Sequence, residues 1–151
     1  MKKFRFPLRS VATVRNLLEL RAREQFSRAV RACALAERAL EAQRERVAEL
    51  EAIIRSGRLG NFRPADQAVF MDAFKEENAQ IAKLVGELNA RREEREAARE
   101  AWFEARRDVR VIENLEQRAR ALHRQEVERE NQAAMDDRAS ALAARSLTPV
   151  S

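Results

Sequence analysis

"SGRLGNFRP", residues 56–64, is the one stretch of this 151-residue chain that interrupts a helical pattern. It holds Gly57, Gly60, Asn61 and Pro64, and it is flanked by long runs rich in Ala, Arg, Glu and Leu, which are strong helix formers. Glycine closing one helix and proline opening the next is the asymmetry that helix ends favour. Proline costs nothing at a first helical position, because the N–H it lacks has no partner there. Asp66 then sits where a carboxylate favours the positive end of a new helix dipole. The stretch therefore divides the chain into a helix over about residues 7–55, a turn over 56–63, a second helix over about 64–140 and a frayed tail over 141–151, all in a single domain.

The first helix carries a seam of Val11, Val14, Leu18, Ala22, Phe26, Ala29, Cys33, Ala36, Leu40, Gln43, Val47, Leu50 and Ile54. From Ala22 onward its steps alternate strictly between four and three residues, the mark of a coiled coil. The consecutive fours near Leu18 are a stutter that unwinds a supercoil locally. Two antiparallel helices rise equally per residue, so facing residue numbers add to a constant, here about 120 from the place of the turn. That register sets Leu50 against Phe70, Val47 against Phe74, Leu40 against Ile81 and Cys33 against Leu88. It sets Leu18 against Trp102, Val11 against Val109 and Leu8 against Ile112. Phe26 and Ala29 face Arg95 and Arg91, whose aliphatic stems can cover an apolar neighbour. Gln43 faces Glu77 or Asn78, a polar layer suited to fixing register. The fold expected is all-α, an antiparallel coiled-coil hairpin of two long helices, the second overhanging the first.

The overhang follows from the same count. Helix one is spent at Leu8, and beyond Ile112 helix two has about 28 residues, roughly 40 Å, with no partner in this chain. Phe4 and Phe6 are placed to fold over its first turn near Leu115. Ile112, Leu115, Ala119 and Leu122 keep one apolar stripe there, ringed by Glu116, Arg118, Arg120, Arg124 and Glu126. A helix of that length without packing is marginal in water, so either it frays or a partner completes it. At the other end Phe62, Phe70, Met71 and Phe74 gather near the turn, where Phe70 and Phe74 also serve the seam.

Composition narrows the chemistry. Charged residues make up 36% of the chain and aromatics 5%, with a net charge of +5, which suits helices meeting along a stripe and leaves little for a thick core. Cys33 and His123 are the only residues of their kinds, too few for a disulfide or a usual zinc set, and no cofactor is expected. Cys33 faces Leu88 and reads as inert packing, His123 as a surface residue. "GRLGN" lacks the spacing and the lysine of a phosphate loop. No apolar run reaches the roughly 18–20 residues of a membrane span, and "MKKFRFPLRS" lacks the apolar stretch of a signal peptide. Residues 1–31 hold nine Lys/Arg against Glu19 and Glu24, so the positive pole is N-terminal. Elsewhere Arg alternates with Glu, as in "RREEREAARE", a self-neutralising surface poorly suited to a phosphate backbone. Nucleic acid, or a membrane surface met by the basic arm, is a subordinate reading.

The opening "FRFPLRSVATVRNLLELRAREQ" and the closing "VIENLEQRARALHRQEVERENQAAMDDRAS" resemble the flagellar FliJ proteins. The resemblance covers essentially the whole chain and is most specific at Phe4, Phe6, Leu8, Ile112, Glu113, Leu115, Arg118, Glu126, Glu130, Asp136 and Ala139. Asp137 and the pair Leu122-His123 depart from the family pattern, and the injectisome relatives of FliJ stay open as the alternative. The resemblance implies a non-enzymatic component of flagellar type III protein export, cytoplasmic and peripheral at the inner face of the cell membrane. It implies partners: the export ATPase FliI, bound like the central stalk of a rotary ATPase, the export gate protein FlhA, and export chaperones. On that analogy Arg15, Ile112, Leu115, Arg118, Arg120, Leu122 and Arg124 meet the ATPase, and Phe70 and Phe74 meet the gate. The competing reading is a structural coiled coil that associates with itself through the overhang.

Overall fold

The computed structural model describes residues 2–60 and 63–148, the side chains of Arg58 and Leu59 excepted. Asn61 and Phe62, expected in the turn and beside the aromatic group, lie outside the described residues. The architecture is the expected all-α hairpin of two long helices packed against each other, α1 over Arg9–Leu59 and α2 over Pro64–Leu147.

The helix ends follow local chemistry. At the start of α1 the Arg9 N–H donates to the Phe6 carbonyl at 3.2 Å and the Ala12 N–H to the Leu8 carbonyl at 2.9 Å. The helix begins at Arg9, two residues after Pro7, and runs past the expected end at Arg55 to Leu59. Gly57 is carried inside it, a cost of about 1 kcal/mol that good neighbouring helix formers absorb. The Gly60 N–H then closes a turn on the Gly57 carbonyl at 3.3 Å. No described glycine has a positive φ, so α1 ends without the left-handed cap expected of a helix-closing glycine. Pro64 opens α2 as expected, with Asp66 in its first turn and the Gln67 N–H donating to the Arg63 carbonyl at 3.1 Å.

The tail differs from expectation. Residues 141–147 continue α2. Ala139, Ala141, Ala143 and Ala144 favour helix, and nothing stops it before Pro149. The Ser146 hydroxyl donates to the Ala143 carbonyl and the Thr148 hydroxyl to the Arg145 carbonyl, both at 2.7 Å, and the second of these acceptors is among the four that the helix end leaves open.

Contacts divide the chain into two compact units, Glu19–Ala105 and the pair of segments Met1–Leu18 with Arg106–Ser151. The first unit, which contains the turn, is built on Cys33, Leu40 and Leu88, all buried, with Ala36, Ile81, Leu84 and Val85 packed against them. These are the layers that the register count brings together. Gln43 is buried too, and its amide donates to the Glu77 carbonyl at 2.9 Å and to the Glu77 carboxylate. Of the two partners expected for the polar layer, Glu77 is therefore the one used.

Two layers of this unit gain contacts that the register count does not supply. Trp102, expected opposite Leu18, stacks on Phe26 at 5.6 Å between ring centroids and donates its indole N–H to the Glu19 carboxylate at 2.9 Å. An indole needs both a flat apolar neighbour and an acceptor, and Phe26 with Glu19 supplies both. The guanidinium of Arg95, whose charge was expected to reach water, points at the Cys33 sulfur, 3.5 Å away. Cys33 itself is 1% exposed, as packing on the seam requires.

The second unit is thinner. Val11, Val14 and Leu8 remain 38%, 54% and 39% exposed, and Phe6 is its one buried residue among those described. Leu17 and Leu18, in the same first ten residues of α1, are 48% and 43% exposed as well, so the apolar side chains of this stretch are only partly covered.

Candidate partner interface

The seven residues expected to meet the ATPase fall in this second unit, and the structure treats them unequally. Arg15 is engaged within the chain, its guanidinium 2.9 Å from the Asp108 carboxylate. Arg120 is also engaged: it pairs with Glu116 at 2.8 Å, one helical turn back, and lies 4.8 Å over the Phe4 ring. Ile112 is half-buried. Leu115 and Leu122 are 39% and 61% exposed. Arg118 and Arg124 are exposed and form no ion pair among the described residues. The set thus separates into an internally committed part (Arg15, Ile112, Arg120) and an uncommitted part (Leu115, Arg118, Leu122, Arg124).

α2 overhangs α1 as expected, and the arm that precedes α1 covers more of the overhang than the turn near Leu115. The non-helical arm before Arg9 does not stop near Leu115; its Phe4 ring reaches Arg120 and His123 of α2. Phe4 lies against His123, ring centroids 5.5 Å apart and tilted by 54°. Lys2, Lys3 and Phe4 of the arm and Leu122, Glu126 and Glu130 of α2 line a groove of about 410 Å³. His123, expected to be a plain surface residue, is half-buried under this arm. The arm stays because of its two aromatics. Burying Phe6 is worth about 2 kcal/mol, and the Arg120 contact to Phe4 adds roughly 0.5–1 kcal/mol. Lys2, Lys3 and Arg5 share the lining of this groove with Glu126 and Glu130, so it is basic on the side of the arm and acidic on that of α2. The two-residue spacing of Phe4 and Phe6 was the available signal, since alternate residues of a non-helical segment can share a face. How far along α2 that segment would run carried no signal of its own.

Beyond Glu130 every described residue of α2 is exposed, including Met135 at 66% and Leu142 at 66%. The unpartnered part of α2 therefore begins after the arm and not at Ile112.

The residues expected to meet the gate lie in the other unit. Phe70 and Phe74 are both half-buried, as is Met71, while Val69 beside them is 67% exposed. The seam takes part of each ring and leaves part of each to solvent. Among the described residues no group of acidic, His or Cys side chains is arranged to hold a metal ion, and no helix is long and apolar enough to cross a membrane. What these surfaces offer chemically is apolar contact edged by arginine.

A family model described as "Flagellar FliJ protein" matches residues 4–148. No curated protein and no solved structure matches the chain.

Proposed function

The chain belongs to the flagellar FliJ protein family, a component of flagellar type III protein export, and from that premise we propose that it is a central-stalk-like coiled coil that binds and stimulates the export ATPase FliI. Leu115, Leu122, Arg118 and Arg124 meet the ATPase, and Phe70 and Phe74 meet the export gate protein FlhA. Export chaperones complete the set of partners, and the protein works in the cytoplasm, peripheral to the inner face of the cell membrane. It needs no cofactor and performs no chemistry of its own.

The observation that carries this reading is the state of Leu115 and Leu122. Two leucines one heptad apart on α2 stay exposed beside two arginines without ion pairs among the described residues. Exposed apolar positions in helical register with charged neighbours are what one half of a helix-mediated interface offers. Replacing Leu115 and Leu122 together with Asp is expected to abolish stimulation of FliI's ATPase activity while circular dichroism still reports a helical hairpin. Undiminished stimulation by a folded double variant overturns the assignment of this end. A second reading, self-association through α2 beyond Glu130, is favoured by the exposure of Met135 and Leu142. Sedimentation separates the two: the stalk reading requires a monomer in the absence of FliI.

A further inference from the structure

The face of α1 that points away from the hairpin seam, between Leu20 and Arg38, is used by none of the contacts assigned above. It is strongly unbalanced in charge. Five arginines lie in this segment, Arg21, Arg23, Arg28, Arg31 and Arg38, against the acids Glu19, Glu24 and Glu37. Two of the three acids are drawn to α2: Glu19 accepts from the Trp102 indole at 2.9 Å, and Glu37 pairs with Arg92 at 3.7 Å. None of the five arginines forms an ion pair among the described residues. The facing stretch of α2 behaves differently. There Arg91 pairs with Glu94, and Arg95 and Arg99 both reach Glu96, so it neutralises itself.

The face also has apolar contact points. Leu20 and Leu35 are 47% and 63% exposed. At 100° per residue both lie on the side opposite Cys33 and Leu40, together with Glu24, Ser27, Arg28 and Arg31. They are separated by roughly 22 Å, about four helical turns. Between them runs a shallow groove of about 410 Å³ lined by Leu20, Arg23, Glu24, Ser27, Arg28 and Arg31. A helix that carries apolar residues at one end and the other, with arginine between, complements a second helix with leucines at the ends and carboxylates between.

We propose that the outward face of α1 from Leu20 to Arg38 is a docking surface for an acidic amphipathic helix of another protein, which lies along it as the third helix of a local bundle. Arg28 and Arg31 take its carboxylates, and Leu20 and Leu35 take its apolar residues. The chemistry disfavours a nucleic acid: Glu24 in the centre of the face repels phosphates, and two leucines covered by phosphates lose their hydration shell without an apolar partner in exchange. It disfavours a lipid surface as well, since two leucines about 22 Å apart do not make a continuous apolar band. The proposal is independent of the ATPase and gate assignments, because it uses none of their residues.

The test uses the full chain and a fluorescent, end-capped peptide of about 20 residues with leucines at heptad spacing flanked by glutamates. Companion peptides carry Gln or Lys in place of the Glu, and a short duplex DNA serves as the competing ligand. Anisotropy is expected to show saturable binding of the Glu peptide, weakened about tenfold or more by Arg28→Glu with Arg31→Glu, and likewise by Leu20→Gln with Leu35→Gln. The Gln peptide binds wild type about tenfold or more weakly, and the Lys peptide gains affinity for the Arg28→Glu, Arg31→Glu variant. All four substituted side chains are exposed and their replacements are good helix formers, so circular dichroism should be unchanged. The proposal is overturned if the Glu peptide does not bind, if its binding is indifferent to both pairs of substitutions, or if duplex DNA binds more tightly and is lost with the same arginines. FliI stimulation measured on these variants should match wild type, which keeps a failure here distinct from a failure of the stalk reading.

Discussion

The Gln43 side-chain amide, buried between the helices, donates to the Glu77 main-chain carbonyl 2.9 Å away, so one side chain of α1 is tied to the backbone of α2. Their residue numbers add to the constant expected from the position of the turn. A polar group in an apolar seam is satisfied at one register and stranded at the neighbouring ones. Gln43→Ala is expected to cost about 1–2 kcal/mol, read from the urea midpoint. Gln43→Leu should stay within about 1 kcal/mol of wild type, yet become concentration-dependent in sedimentation as alternative pairings open. A Gln43→Leu chain that remains strictly monomeric would remove Gln43 from the role of register pin.

Leu40 and Leu35 lie on the same helix with opposite exposures, 5% and 63%. Leu40→Ala leaves a cavity beside Cys33 and Leu88 and is expected to cost about 2–4 kcal/mol. Leu35→Ala should change stability by no more than about 0.5 kcal/mol. Thermal or chemical denaturation of the two variants side by side checks both values, and equal losses would contradict the seam.

The arm is held by aromatics, so their removal should free it. Phe6→Ala is expected to cost about 2–3 kcal/mol. Phe4→Ala should cost about 1 kcal/mol and remove the ring from His123 and Arg120. Amide exchange along residues 119–130 of α2 is expected to rise in both variants, more in Phe6→Ala. Exchange unchanged in both would mean that the arm does not cover this part of the helix.

Arg15 and Arg118 make a controlled comparison for the ATPase assignment. The Arg15–Asp108 pair is half-exposed and its loss costs only about 0–1 kcal/mol after solvent screening. Arg15→Ala should therefore leave folding intact. If Arg118 and Arg124 meet FliI, reversing both to Glu should weaken FliI binding strongly at low salt and less at high salt, read by titration at several salt concentrations. A salt-independent effect would point to packing and not to charge at this surface.

Phe70→Ala with Phe74→Ala is expected to abolish binding to FlhA while FliI stimulation persists. Both rings are half-buried, so about 1–3 kcal/mol of stability goes with them. Phe70→Leu with Phe74→Leu retains most of the seam contact and tests the aromatic surface alone. If either folded pair bound FlhA as wild type does, the gate contact would lie elsewhere.

The hairpin was legible from residues alone because its signals repeat. A heptad of small and large apolar residues runs from Ala22 to Ile54, and one break at 56–64 fixes where the chain doubles back. Cys33 with Leu88 and Gln43 with Glu77 follow from those two facts. The exposed pair Leu115 and Leu122 was legible for the same reason, as a stripe continuing past the end of its partner. Trp102 was not: its choice of Phe26 and Glu19 depends on ring shape and a hydrogen-bond acceptor, neither of which registers in a count of positions.

The amino-acid sequence by itself determined two helices, their antiparallel pairing, the layers of the seam and a second helix longer than the first. Each of these rests on many residues repeating one local rule, so no single deviation upsets it. Only the tertiary structure decided that the arm continues along α2 to His123, which packs against Phe4, and that Arg15 and Arg120 are spent within the chain while Arg118 and Arg124 are not. The physical reason is that these contacts are single and non-local. A short arm with one pair of aromatics shows no repeat that fixes its path, and an arginine chooses among several acids by geometry that exists only once the helices are packed.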